Sequence, residues 1–156
     1  MNELLRQSGA RHSGGPRRAR SEAERACFEC AYPATAWFVK EAREAASDAV
    51  GRLGLDEALL PDVRLCVSEA MTNAVRHAYG SCHGTVEISV SRTGEGAVVR
   101  VRDFGSGVVA AGRGGCGGFG LAIIATLTEQ YGLTSVSGVG TEVAMAFGTK
   151  LAAAPR

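Results

Sequence analysis

The segment TVEISVSRTGEGAVVRVRDF, residues 85–104, constrains the fold more than any other stretch of the chain. Residues 85–92 and 97–104 are two β runs, and the TGEG between them is a short hairpin-like turn. Strands joined this tightly lie antiparallel, because a parallel pair needs a long crossover. The other elements fall around this hairpin in a definite order. CFECAY (27–32) reads as a first strand stopped by Pro33. Helix formers fill 34–53 up to Gly54, and Asp56 can cap a second helix that runs through 79 to Gly80. A glycine-rich loop spans 105–118, and a helix follows to about Tyr131. LTSVS and TEVAMAF then form two last strands around Gly138 and Gly140. The order β-α-α-β-β-α-β-β does not alternate strand and helix, which argues against a doubly wound parallel sheet. It predicts an α+β sandwich, a largely antiparallel sheet with helices on one face.

A chain of 156 residues with 46% hydrophobic content supports one domain with a real core. No apolar run approaches the ~20 residues that span a bilayer. The stretch MNELLRQSGARHSGGPRRAR lacks the apolar centre of a secretory signal, so a cytoplasmic location is expected. The net charge of +1 hides an asymmetry. Residues 1–25 hold six Arg against three Glu, a balance of +3, and the remainder carries −2. Those first residues are rich in Ser, Gly and Arg and cannot bury much, so a disordered basic leader is expected over 1–25. A basic leader could touch nucleic acid; a solvated leader is the plainer expectation. The ordered domain is expected over 26–149, followed by a short tail, 150–156. Five cysteines is an odd count at low density, more typical of buried small hydrophobes than of bridges. Cys27-x-x-Cys30 could be a redox pair or half a zinc site, but in a strand, residues three apart face opposite ways.

Three motifs carry chemistry. The second helix contains LCVSEAMTNAVRHAYG. At ~100° per residue, Val63, Val67, Ala70, Ala74 and Ala78 share one face, while Glu69, Asn73, Arg76 and His77 gather opposite. Such a polar side is commonly just solvated. A carboxylate and a carboxamide one turn apart also have uses: Asn can offer a carbonyl oxygen to Mg²⁺, and Glu can accept a proton from a hydroxyl or water nucleophile.

The second motif is Asp103-Phe104-Gly105-Ser106-Gly107, directly after a strand. Asp there can close an Asx-turn. It can also accept a hydrogen bond from the exocyclic amine of adenine, where guanine offers a second acceptor and leaves the Asp unpaired. The two glycines permit positive φ and a close backbone approach to a flat base.

The third is GRGGCGGFGLAII, residues 112–124. Gly115-x-Gly117-x-x-Gly120 has dinucleotide-binding spacing, but the preceding VVAAGRG carries no strand signal. A phosphate-binding loop of the Walker type needs a Lys after its last Gly, and the only lysines are Lys40 and Lys150. What remains is a glycine turn feeding a helix N-terminus, whose free N–H groups suit phosphate. Residues 105–117 are long enough to fold over a nucleotide as a lid, and Arg113, its one charge, could reach a phosphate or keep the loop soluble.

Together, Glu69…Asn73, Asp103-x-Gly105-x-Gly107, Gly118-x-Gly120-Leu121 and Gly140-Thr141 resemble the four boxes of the GHKL ATPases, over residues 27–148. Within them, S-E-A-x-T-N-A-x-x-H-A-Y resembles the anti-sigma factor serine kinases of bacteria. The resemblance implies a two-layer sandwich of Bergerat type with a mixed, mostly antiparallel sheet, binding ATP and Mg²⁺. It makes Glu69 the general base and Asn73 the Mg²⁺ ligand. Asp103 would bind the adenine amine with support from Thr141. Gly105, Gly107, Gly118 and Gly120 would shape pocket and lid, with His77, Arg113 and Leu121 completing the nucleotide site. The implied function is phosphorylation of a Ser on an anti-anti-sigma factor, a STAS domain, alternating with capture of a sigma factor. A homodimer is a candidate assembly; neither a membrane nor direct nucleic-acid contact is expected. Two other functions compete with it: an ATP-gated binding module without phosphotransfer and, more remotely, a dinucleotide-dependent oxidoreductase.

Overall fold

The structure is a computed structural model that describes residues 26–94, 96–107 and 119–148. The basic leader, the C-terminal tail, most of the lid segment, Arg113 and Gly118 lie outside the described residues. Five strands and three helices follow in the order β1 (Ala26–Pro33), α1 (Val39–Arg52), α2 (Leu60–His77), β2 (Thr85–Thr93), β3 (Gly96–Asp103), α3 (Phe119–Leu127), β4 (Gln130–Val136) and β5 (Gly140–Phe147). The strands form one sheet in the order β1-β2-β3-β5-β4. Every pairing is antiparallel, so the sheet is antiparallel throughout rather than mixed. The α+β architecture is the one that the order of elements predicts.

Strand periodicity decides which side is covered. Val86, Ile88 and Val90 on β2, Val99 and Val101 on β3, and Val143, Met145 and Phe147 on β5 are buried on one face. They meet Ala42, Ala46, Ala49 and Val50 of α1, and Val63, Cys66, Val67, Ala70, Met71 and Ala74 of α2, in a single core. Full burial of side chains such as Ile88 or Met145 contributes about 1.5–3 kcal/mol each. On the other face Arg100 and Glu142 sit 3.7 Å apart, a partly exposed pair that contributes little. Among the described residues no helix is long and apolar enough to cross a membrane.

Local chemistry sets the helix starts. Asp56 caps a short 3-10 turn, Glu57–Leu59, by accepting the Ala58 N–H at 2.9 Å, and Pro61 enters the first turn of α2. A 3-10 turn over Ala36–Phe38 delays the first helix to Val39, later than the composition of 34–53 predicts. Helix α3 is shorter than expected. It ends at Leu127, and Tyr131 lies in β4, paired with Met145. The hydroxyls of Thr126 and Thr128 bond back to the carbonyls of Ala122 and Ile124 at 2.8 and 2.7 Å. The Glu129 N–H already pairs with the Ala146 carbonyl, so the sheet takes over the chain there.

Cys27 and Cys30 fall on opposite sides of β1, as strand spacing predicts: Cys27 is exposed at an irregularity of the β1–β2 register, and Cys30 packs toward the core.

Candidate functional site

Of the predicted residues, Glu69, Asn73, Asp103, Gly105, Gly107, Gly120 and Thr141 lie toward one end of the sheet, where α2 finishes, β3 and β5 meet, and α3 begins. Val99, Val101 and Asp103 share the core-facing phase of β3, so the strand carries Asp103 onto the helix side, where it is buried. Its Oδ1 accepts the Gly105 N–H at 3.0 Å, closing an Asx-turn, and the Thr141 N–H at 3.1 Å from β5. None of the described residues donates to Oδ2. Asp103 therefore makes the turn and the tie to β5 with one oxygen, and the other has no donor among the described residues. Thr141 meets Asp103 through its backbone, while its hydroxyl bonds to Ser135 at 3.0 Å.

The loop after Asp103 is held from two sides. The Ser106 N–H donates to the Ala78 carbonyl at 2.9 Å, satisfying an acceptor left over at the end of α2. The Ser106 carbonyl accepts the Gly138 N–H at 2.8 Å from the β4–β5 turn. Gly107 has φ +76°, and a Cβ there would lie 2.6 Å from the Val136 carbonyl oxygen. Gly105 shows no such φ; its requirement is steric, since a Cβ would collide with the Ala78 carbonyl. Gly105 thus makes room for the helix end, a reason that the DxGxG spacing alone does not reveal.

The polar face of α2 divides in two. Glu69 and Asn73 are half-buried, whereas Arg76 and His77 are exposed. The cause is α3. Gly120 rests on the pair so closely that a Cβ would lie 2.7 Å from Glu69 Oε2 and 3.5 Å from Asn73 Nδ2. Leu121 packs against the core and Ile124 is fully buried, which anchors the helix. The N-terminal end of α3 is thereby brought to the carboxylate and carboxamide. Beneath them, Cys66 is fully enclosed, and burial pushes its thiol up to about 12, with the charges of Asp62 and Glu69 adding to the effect.

A family model for the histidine kinase-like ATPase domain matches residues 32–147, from the end of β1 to the end of β5. The chain belongs to the histidine kinase-like ATPase domain family. It is also similar to an anti-sigma F factor of Pasteuria penetrans, 33% identical over 99 residues. That match covers 55% of this chain and 66% of the relative, so just under two-thirds of the relative's length is represented.

Membership of this family accounts for the shared position of the motifs, which periodicity alone leaves scattered along the sequence. Glu69, Asn73 and Gly120 form one cluster, on α2 and α3; Asp103, Gly105, Gly107 and Thr141 form another, and the Ala78 carbonyl just past α2 holds its loop through Ser106. His77 stands apart on the exposed last turn of α2. Sequence reasoning gave no role to Tyr79 or Ser106. Tyr79 donates its hydroxyl hydrogen to the Thr85 carbonyl and accepts the Phe104 N–H at 2.7 Å. Its only trace in the sequence is its place at the end of the H-A-Y string.

Proposed function

We propose that this histidine kinase-like domain binds ATP with Mg²⁺ as an anti-sigma regulatory factor. On this reading it phosphorylates a Ser of an anti-anti-sigma partner carrying a STAS domain, and it sequesters a sigma factor. The observation that carries the proposal is the seat of Gly120 on Glu69 and Asn73. It supports phosphate at the N-terminal end of α3, beside an oxygen donor for a metal and a carboxylate base.

The donor set fits the two groups. The Oδ2 of Asp103 suits an adenine amine. Among the described residues no three His, Cys, Asp or Glu side chains gather to hold a metal. Asn73 would thus share an ion with phosphate and water, which is how Mg²⁺ is commonly held. When bound, the ion neutralises phosphate charge. Glu69 would orient the incoming Ser hydroxyl and take its proton. Arg113 and Gly118 remain candidates for the phosphate side.

The test is transfer of labelled γ-phosphate from ATP to a Ser on partners retained by the full chain. Glu69→Ala is expected to cut transfer by ~10²–10⁴, the range of general-base assistance, with ATP affinity changed less than a few-fold. If the wild type transfers nothing to any retained partner, or the variant transfers as fast, the kinase assignment fails. An ATP-gated binding module then becomes the account to pursue.

A further inference from the structure

Tyr79 sits at the end of α2, outside both clusters, yet its hydroxyl is used twice. It donates to the Thr85 carbonyl at the start of β2 and accepts the Phe104 N–H, the peptide that follows Asp103. The ring has a fitted seat. A Cβ on Gly84 would strike ring carbons of Tyr79, and the Gly84 carbonyl is itself tied to the Ala34 N–H at 2.9 Å. The next bond along comes from the same helix end, where the Ala78 carbonyl holds the Ser106 N–H. Two adjacent residues directly after α2 therefore grip the loop at alternate peptides, Phe104 and Ser106. Between those peptides, Gly105 gives its N–H to Asp103.

Building on the nucleotide site proposed above, we infer that Tyr79 is a positioning residue for base recognition. Its hydroxyl fixes the Phe104 peptide and, through it, the direction in which Asp103 presents Oδ2. Tyr79 touches no nucleotide in this scheme. It acts through Asp103, and it ties the base end of the site to the helix that carries Glu69 and Asn73. A Phe ring would fill the same space but leave the Phe104 N–H and the Thr85 carbonyl without their shared partner. The Asp103 turn would then sample several orientations.

The test uses the full chain and calorimetry with ADP, ATP and GTP in the presence of Mg²⁺. Tyr79→Phe is expected to weaken ADP and ATP binding by about tenfold each. It should narrow the preference for ATP over GTP and leave the ratio of ATP to ADP affinity unchanged, because the γ-phosphate end is untouched. A purely structural brace would instead lower the unfolding temperature while the folded variant kept wild-type affinity and base preference; that outcome overturns the inference. Gly84→Ala is an independent route to the same effect, since the added methyl displaces the ring without removing the hydroxyl. Hydrogen exchange on the nucleotide-free wild type requires no variant. The Phe104 amide should be strongly protected before nucleotide is added, and rapid exchange there overturns the inference even if neither variant folds. Failure of the wild type to bind any adenine nucleotide would instead count against the site reading, and the Phe104 measurement separates the two.

Discussion

Asp103 divides its carboxylate between two tasks, which makes Asp103→Asn a sharper probe than a simple deletion. The amide oxygen can keep the Gly105 and Thr141 N–H bonds, so the turn and the fold should survive. The amide nitrogen then takes the place of Oδ2. A donor now faces the adenine amine donor, and the two oppose each other, whereas the guanine carbonyl would be matched. On the proposed function, ATP affinity should fall by tenfold or more and the ATP-over-GTP preference should shrink or reverse; calorimetry with both nucleotides reads this directly. Two other side chains matter for stability alone. The Ser47 hydroxyl is buried in α1 without a hydrogen-bond partner among the described residues. Ser47→Ala should therefore raise stability by about 1 kcal/mol, read from the urea midpoint. Cys66 has the opposite sensitivity. Its folded value is raised from 9.0 to about 12, so the folded state holds the proton more tightly than the unfolded chain. The stability this contributes is fully present below pH 9 and is lost as pH rises through that window. Cys66→Ala should lower stability at neutral pH through the lost volume, yet show a shallower alkaline decline than wild type.

Between helices, small side chains matter more than charge. Ala42, Ala46 and Ala49 let α1 lie close over the core, while Glu44 and Arg64 bridge α1 to α2 at 2.9 Å on an exposed surface. Glu44→Ala should leave the urea midpoint almost unchanged. Ala46→Leu should cost about 1–3 kcal/mol, because the layer must open to admit it; paired urea titrations compare the two. The hairpin, the buried stripe of α2 and the Asp56 cap are all legible in the sequence, since each is specified by neighbours a few residues apart. The end of α3 is not. Residues 128–131, Thr-Glu-Gln-Tyr, carry no Gly or Pro stop before Gly132, and only the ladder with β5 decides where helix gives way to strand. The same distinction applies at the site. Glu69 and Asn73 announce a shared face by their spacing, but their partial burial comes from Gly120, 51 positions beyond Glu69 in the numbering. Gly105 reads as a glycine free to take positive φ; it lies outside that range, and a Cβ there would collide with the helix end. Thr141 reads as support for Asp103, and the sequence does not reveal that the supporting group is its backbone N–H.

At the scale of the whole molecule, one helix and one end of the sheet support both halves of the proposed site, so occupancy should register in global stability. With MgATP at about a hundred times its dissociation constant, unfolding should be opposed by roughly 2.7 kcal/mol, several degrees in melting temperature for a domain of this size. Asn73→Ala should abolish the Mg²⁺-dependent part of that shift while leaving the nucleotide-free protein slightly stabilised or unchanged; differential scanning with and without MgATP distinguishes this from a solvated Asn73. The partnership of Asp103 with Thr141 has a further consequence during synthesis. A ribosome releases β2, β3 and the Asp103 turn well before β5, so a nascent chain can close its hairpin while Oδ1 still lacks its second donor. The corner around Asp103 is finished only when the final strand pairs, and a chain stalled before residue 140 would carry the α2 residues of the proposed site without that corner.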